Sequence, residues 1–373
     1  MQKKKILILY VPLGAGHGAA AKAIEEAIAK KYPETEVKNI SILDFAFEIF
    51  RAGIPGGFNF ITAKIPFVYK LIYHGFNNAG HMAINRTSDA FIKKSHFVEF
   101  IKNFNPDFIL STNPLPMQLV SLTKQKHIID ILSANVCTDF GFHSIWHNPD
   151  VNYYFVSNED VKEALEKHGV SSDKIIVSGL PTSLRFQKEV SRQKVFDSLK
   201  FSLNSPVLLI VGGKIKYGAV LKIVEKIEEK ISAQFIIVAG RDKKLREDLE
   251  GSGLYKKPNA KIFGFVDNLE DYMAVSDLIL TKAGGLTIAE CMEMRLPMVI
   301  NDFIPGQEED NVNYLVKNGA GLKVKNTSEA ARLITDLLSH PEKLSDMKEN
   351  CKKLARPKAA EKIIDFIMEK TKI

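Results

Sequence analysis

Two stretches of the chain share one pattern, and it limits the possible folds more than any other feature. ILILYVPLGAGHG, starting at residue 6, and VLLIVGGKIKYG, starting at residue 207, are each a short apolar run that breaks into glycines. Aliphatic runs of this length, without polar alternation, suit strands buried on both faces, which occur in parallel sheets covered by helices. Further short β-branched runs alternate with longer amphipathic segments along the whole chain. Strands are expected at 6–11, 37–42, 108–111, 128–136, 153–156 and 175–178, then at 207–211, 234–239, 260–263, 278–281 and 297–301. The class is α/β, and the repeated opening predicts two Rossmann-like domains.

The stretch LRFQKEVSRQKVFDSLKFSLNSP is polar and lacks a strand period, so the connection is placed near 184–205. That gives domains 1–185 and 206–355, followed by a C-terminal helix, 356–373. Its Ile363, Ile364, Phe366 and Ile367 follow a helical spacing, and the helix is expected to pack back on the first domain.

With 45% hydrophobic and 25% charged residues in 373, the chain is neither disordered nor fibrous. Its three cysteines exclude a disulfide scaffold and suggest a reducing compartment; none forms a C-x-x-C pair, so structural zinc has no support. A net charge of +7 favours anionic partners, a description that fits nucleic acid, anionic lipid and nucleotide alike. MQKKKILILYVP reads as a first strand rather than a signal peptide, and no run reaches the roughly 18 apolar residues of a spanning helix. A cytoplasmic protein with membrane contact only at its surface is expected.

After the first strand, Gly14-Ala-Gly16-His17-Gly18 runs into the Ala-rich helical segment AAAKAIEEAIAKK. A strand, a glycine turn and a helix N-terminus aim free N–H groups at an anion or oxyanion. His17 adds an imidazole suited to taking a hydroxyl proton near neutral pH. A plain turn with an exposed capping histidine is the blander reading. A third reading is the dinucleotide fingerprint Gly14-x-Gly16-x-x-Ala19 with Asp44 on the ribose, although that acid lies further on than the roughly 20 residues expected.

LILTKAGGLTIAECMEMRLPMVINDFIPGQEEDN, residues 278–311, carries the second glycine turn. Gly284 and Gly285 leave room for a ligand at a helix N-terminus suited to phosphate. Glu290, one turn on, offers a carboxylate to two ribose hydroxyls. Pro305-Gly306 then turns the chain to present Gln307, Glu308 and Asn311, polar groups matched to sugar hydroxyls. Taken singly, Lys282 and Glu290 are ordinary surface residues; the full constellation favours a site. Gly212, Gly213 and Lys214 follow another strand, and Phe265 and Val266 offer backbone groups to a base ring.

With these pieces in order, joined by NPDFILSTNPLP, Val136-Cys-Thr138-Asp139-Phe140 with His143 and Trp146, SNEDVKEALEKHGV and Val177-Ser-Gly179-Leu-Pro181, the chain resembles the monogalactosyldiacylglycerol synthase and processive diacylglycerol glucosyltransferase family over nearly its full length. That family is related to the glycosyltransferase that forms lipid II. The resemblance implies a GT-B fold, two Rossmann-like domains facing across a cleft, and inverting transfer from a UDP-sugar without an obligatory metal or cofactor. It implies donor residues Gly213, Phe265, Val266, Lys282, Gly284, Gly285, Leu286, Thr287, Glu290, Gln307, Glu308 and Asn311, and a lipid acceptor near His17, with Gly14 and Gly16 beside it. Plant-type members have Asp-Thr before the glycines where this chain has Pro12 and Leu13. Asp139 is therefore the substitute expected to orient or charge His17.

Residues 45–76 hold nine of the 34 aromatic residues, among them Phe45, Phe58, Phe60, Phe67 and Tyr69, interleaved with Arg51, Lys64 and Lys70. Insertion into an anionic membrane surface uses both features, and a buried helical hairpin is the competing reading. Cys137, Asp139, His143 and His147 match no standard zinc pattern, and no metal is expected.

The expected activity is transfer of a glucose or galactose unit from UDP-glucose or UDP-galactose to diacylglycerol or a related glycolipid on the cytoplasmic face of the membrane. Nucleic acid is not an expected partner. Another lipid acceptor, such as a polyprenyl-linked intermediate, is the first alternative. A nicotinamide-dependent oxidoreductase and a non-catalytic nucleotide sensor are more distant ones.

Overall fold

The computed structural model describes residues 3–12, 14–45, 96–212, 215–306 and 308–371. The chain divides into two compact units, residues 1–184 with 304–310 and 356–373, and residues 185–303 with 311–355.

In the first unit the elements run β1 (Lys5–Tyr10), α1 (Gly16–Lys31), β2 (Glu36–Ser41), α2 (Phe97–Phe104), β3 (Phe108–Ser111), α3 (Pro114–Gln125), β4 (Leu132–Val136), β5 (Tyr153–Val156), α4 (Glu159–Lys167) and β6 (Ile175–Val177). The strands form one parallel sheet in the order β2-β1-β3-β4-β5-β6. β1 shows why a continuous aliphatic run suits this position. Ile6 and Ile8 face a core with Ala21, Ile24 and Ile28 of α1, while Leu7 and Leu9 face the opposite core with Phe97, Ile101 and Met117. Asn113 accepts from the N–H of Leu115, starting α3 directly after β3.

The second unit contains α5 (Arg192–Leu199), β7 (Val207–Val211), α6 (Tyr217–Glu228), β8 (Gln234–Val238), α7 (Lys243–Glu250), β9 (Ala260–Phe263), α8 (Leu269–Val275), β10 (Leu278–Lys282), α9 (Gly285–Glu293) and β11 (Met298–Asp302). α10 (Glu309–Lys317), β12 (Gly321–Lys323), α11 (Thr327–Ser339) and α12 (Pro341–Leu354) follow. Its parallel sheet has the order β12-β11-β10-β7-β8-β9. The last helix, α13 (Ala359–Lys370), belongs to the first unit. Ile363, Ile364 and Ile367 are fully buried in the core that includes α1, and the Phe366 ring meets Tyr153 and Phe155 edge-on at 4.8 and 5.5 Å.

Three expectations need adjusting. The strand expected from residue 128 begins only at Leu132, because His127 takes a left-handed turn (φ 54°) and the Ile128 N–H closes back on the Thr123 carbonyl. β12 was not foreseen; three residues, Gly-Leu-Lys, carry no β-branched signal, and sheet-edge pairing with β11 makes them a strand. The polar stretch 184–205 contains α5, and it buries Phe186, Phe196 and Phe201.

Each sheet reverses direction beside its first strand. From β1 the chain steps to β2 on one side and β3 on the other; from β7 it steps to β8 on one side and β10 on the other. In open α/β sheets such switch points, at the carboxyl ends of the strands, form crevices where ligands bind.

Candidate active site

The first switch point carries the His17 cluster. Gly14 sits at φ +72°, a left-handed turn that suits glycine, and a Cβ at Gly14 or Gly16 would meet nothing within 4 Å. The turn delivers His17 as the second residue of α1, with only 8% of its surface exposed. Across the switch, the loop after β3 supplies Thr112. Its carbonyl lies 2.7 Å from His17 Nδ1 and its hydroxyl donates to the His17 carbonyl at 2.9 Å. Thr138 Oγ1, from the loop after β4, stands 3.1 Å from the same Nδ1.

A carbonyl only accepts, so Nδ1 carries the proton, and in the neutral ring Nε2 keeps its lone pair. Burial lowers the His17 pKa to about 4 against the smaller opposing effect of the Thr112 hydrogen bond. The ring is therefore a neutral base throughout the physiological range. This corrects the expectation for Asp139. Nδ1 is taken by Thr112 and Thr138, and the ring is held neutral rather than charged. Asp139 follows Thr138 in the loop, and its carbonyl accepts from Ser157 Oγ at 2.9 Å. The run Ser111-Thr112-Asn113-Pro114, a strand ending in a helix cap, is the sequence signal that marks Thr112 in hindsight.

The second switch point carries the other glycine turn. α9 starts at Gly285 straight after β10, with Gly284 as its N-cap and no side chain capping its first turn. A Cβ on Gly284 would lie 3.4 Å from Lys282 Nζ and 3.6 Å from Thr287 Oγ1. An ammonium, a hydroxyl and a helix N-terminus thus converge on one point, a combination that stabilises a phosphate. Leu286 is buried, so it brings only its main chain to the turn.

Glu290 stands one turn further on, partly covered. Desolvation raises its pKa to about 8; Arg185 opposes that rise, whereas Glu293 and Glu270 add to it. Phe265 is 61% exposed, with the Arg241 guanidinium 5.3 Å from its ring centre, so it offers a side-chain face as well as the backbone expected of it. Val266 follows it in the loop after β9.

Two residues expected to face a sugar are committed to the fold. Asn311 is fully buried and donates from Nδ2 to the Ala283 carbonyl at 3.1 Å, fastening the β10–α9 turn. Glu308, 5% exposed, accepts from the Ile304 N–H at 2.7 Å and closes the Pro305-Gly306 turn, where Gly306 has φ +92°. Gly213, Lys214 and Gln307 lie outside the described residues, as do Phe58, Phe60, Phe67 and Tyr69. Phe45 is described, and it packs against Phe97 and Phe100 at 5.5 and 5.1 Å, in the core of its own unit.

Among the described residues, no group of three or more His, Cys, Asp or Glu is placed to hold a metal ion. His143 uses Nδ1 to accept from the Ile145 N–H, and burial pushes the Cys137 thiol far up. Also among the described residues, no helix is long and apolar enough to cross a membrane.

Residues 17–182 match the family model for monogalactosyldiacylglycerol (MGDG) synthase, and residues 207–363 match the glycosyltransferase family 28 C-terminal domain. The chain is 28% identical over 378 residues to the processive diacylglycerol beta-glucosyltransferase of Bacillus thuringiensis (strain Al Hakam), covering 100% of this chain and 95% of that one. Among solved structures, the S. aureus MnaA–UDP co-structure superposes with a TM-score of 0.64 at 13% identity, covering 98% of this chain and 96% of the other. Acinetobacter baumannii MurG does so with a TM-score of 0.61 at 14% identity, covering 98% and 99%. The fold is thus GT-B in type, two Rossmann-like halves. The two matched domains in this order, with a full-length relative, place the chain in the monogalactosyldiacylglycerol synthase and processive diacylglycerol glucosyltransferase family, as a UDP-sugar-dependent hexosyltransferase.

Proposed function

We propose that the protein transfers glucose from UDP-glucose to diacylglycerol, or to a glycolipid built on it, with inversion, while bound peripherally to the cytoplasmic face of a membrane. The observation that carries this reading is the neutral His17, with Nδ1 satisfied by Thr112 and Nε2 left as a base at the first switch point. The relative's name supports the choice of sugar and stereochemistry: a β-glucosyl product from the α-linked donor UDP-glucose requires inversion.

In the reaction, the acceptor hydroxyl donates to His17 Nε2 and its oxygen attacks the anomeric carbon opposite the leaving group. The C–O bond to the diphosphate breaks, the new C–O bond forms on the other face, and the proton passes to Nε2. A base of pKa about 4 takes that proton late, once bond formation has made the hydroxyl acidic. The Thr112 carbonyl on Nδ1 then steadies the imidazolium. UDP leaves with three negative charges, one more than the sugar nucleotide carried, met by the α9 N-terminus, Lys282 and Thr287. Glu290 receives the ribose hydroxyls, and the Phe265–Val266 turn receives the base. Asn311 and Glu308 hold the two turns in place, while Gly213 and Gln307 complete the proposed donor set, with Gly14 and Gly16 on the acceptor side. No cofactor takes part, because the activated sugar arrives as substrate.

The test is incubation of the purified protein with diacylglycerol vesicles and either UDP-glucose or UDP-galactose, with lipid products identified by mass and chromatography. A β-glucosyl lipid from UDP-glucose is the expected product. A product from UDP-galactose alone would overturn the sugar assignment. No lipid product alongside measurable UDP-glucose binding would move the acceptor to another lipid, such as a polyprenyl-linked one.

A further inference from the structure

Arg185 belongs to no motif singled out in the sequence. It sits in the turn Leu184–Gln187, at the point where the chain enters the second unit. Its Nη1 donates to the Asp267 carbonyl at 2.6 Å, two residues beyond Phe265. Its Nε lies 3.5 Å from Glu270 Oε2, in the first turn of α8. The guanidinium rests over Phe186, 5.3 Å from a ring that is almost wholly buried.

Nε and Glu270 Oε2 are both buried, and neither has a hydrogen-bond partner; their separation is that of an ion pair without a formed hydrogen bond. Arg185 is also the positive charge that draws the Glu290 pKa down, against burial and the negative charges of Glu293 and Glu270. One side chain therefore holds the turn proposed to receive the base and lends its positive charge to the carboxylate proposed to receive the ribose.

We propose that Arg185 is a positioning residue of the donor site, fastening the Phe265–Asp267 turn to α8 and providing the cation that lets Glu290 accept the ribose hydroxyls as a carboxylate. This rests on the donor-site reading above. Ribose hydroxyls donate to a carboxylate through both of its oxygens, whereas a protonated carboxyl loses one acceptor. Donor affinity should therefore rise with pH as Glu290 ionises. Without Arg185, the negative charges of Glu270 and Glu293 act on Glu290 without that counter-charge, and its ionisation moves to higher pH.

The experiment is calorimetric titration of UDP-glucose, whose diphosphate does not titrate in this range, from pH 6 to 9 into wild type, Arg185→Ala, Arg185→Lys and Glu290→Gln. Wild-type affinity should rise with a midpoint near pH 8. In Arg185→Ala that midpoint should move up by about one pH unit or more. Arg185→Lys should restore the midpoint while binding several-fold more weakly than wild type, because an ammonium cannot reproduce the guanidinium fork. Glu290→Gln should give a flat profile. A wild-type midpoint in Arg185→Ala, or in Arg185→Lys a shift as large as expected for alanine, would overturn the proposal. Failure of wild type to bind UDP-glucose at any pH would instead overturn the donor-site reading itself.

Discussion

At the level of single residues, the buried imidazole makes a prediction that an exposed catalytic histidine would not. With the His17 pKa at about 4, the base form is fully populated well below pH 6.5. With both substrates saturating, kcat should stay level from pH 8 down to about 5, and an inflection near 6.5 would remove His17 from the role of base. His17→Ala should lower kcat by about 10²–10⁴-fold, the usual contribution of a general base, and leave UDP-glucose affinity unchanged in the same calorimetric assay. Stability follows the same shift. A pKa depressed by folding gives stability that is complete above 6.5 and is lost as pH falls through 4, of order 3 kcal/mol in all. Equilibrium unfolding at pH 7 and pH 4 should show a larger loss in wild type than in His17→Gln. His17 was legible in the sequence because glycines flank it on a strand-to-helix turn. Its partner was not, since the group that fixes the tautomer is a main-chain carbonyl 95 residues away, and a main-chain carbonyl belongs to every residue type. Asn311 and Glu308 were legible as polar residues near a turn, yet sequence alone cannot tell a side chain that faces a ligand from one that holds the turn from inside.

Among the elements, strands with uninterrupted aliphatic runs were legible to within a residue or two, because burial on both faces leaves little else for such a run to do. Those misjudged depend on context. Ile128 and Ile129 have a strand's composition but follow a left-handed His127, and β12 exists only through its pairing with β11. α13 was read from the spacing of its isoleucines, and its energetic weight can be tested. Ile364 is wholly buried between α13 and the core shared with β1 and α1. Ile364→Ala should cost about 2–5 kcal/mol in urea-induced unfolding, the range for removing a large aliphatic side chain from a packed core. A cost below 1 kcal/mol would mean that α13 is only loosely attached to its unit. Gly179 belongs to the same contact: it sits at φ +88°, and a Cβ there would collide with Arg356 Cβ, just before α13. The Gly179-Leu-Pro181 motif thus secures the approach to that helix as well as carrying the family signature.

For the whole molecule the issue is how a chain without a spanning helix among its described residues finds a lipid acceptor. Two sources of affinity are proposed, and they respond to different variables. The net charge of +7 supplies attraction to anionic headgroups. It is worth at most ~1 kcal/mol per basic residue close to the surface and is screened as the Debye length falls from about 10 Å at 0.1 M salt to about 3 Å at 1 M. The aromatic residues Phe58, Phe60, Phe67 and Tyr69 would supply apolar insertion, which salt does not screen. Co-sedimentation with vesicles containing anionic lipid should therefore weaken steeply between 0.1 and 0.5 M salt and level off above zero. Replacing Phe58 and Phe60 by Ser should remove the salt-resistant remainder and leave the salt-sensitive part intact. If the double variant bound as wild type does at high salt, the segment would belong to the core, as Phe45 does through Phe97 and Phe100. Binding that ignored salt would instead remove the charge from the mechanism, and the positive balance would then serve only the donor's diphosphate through groups such as Lys282.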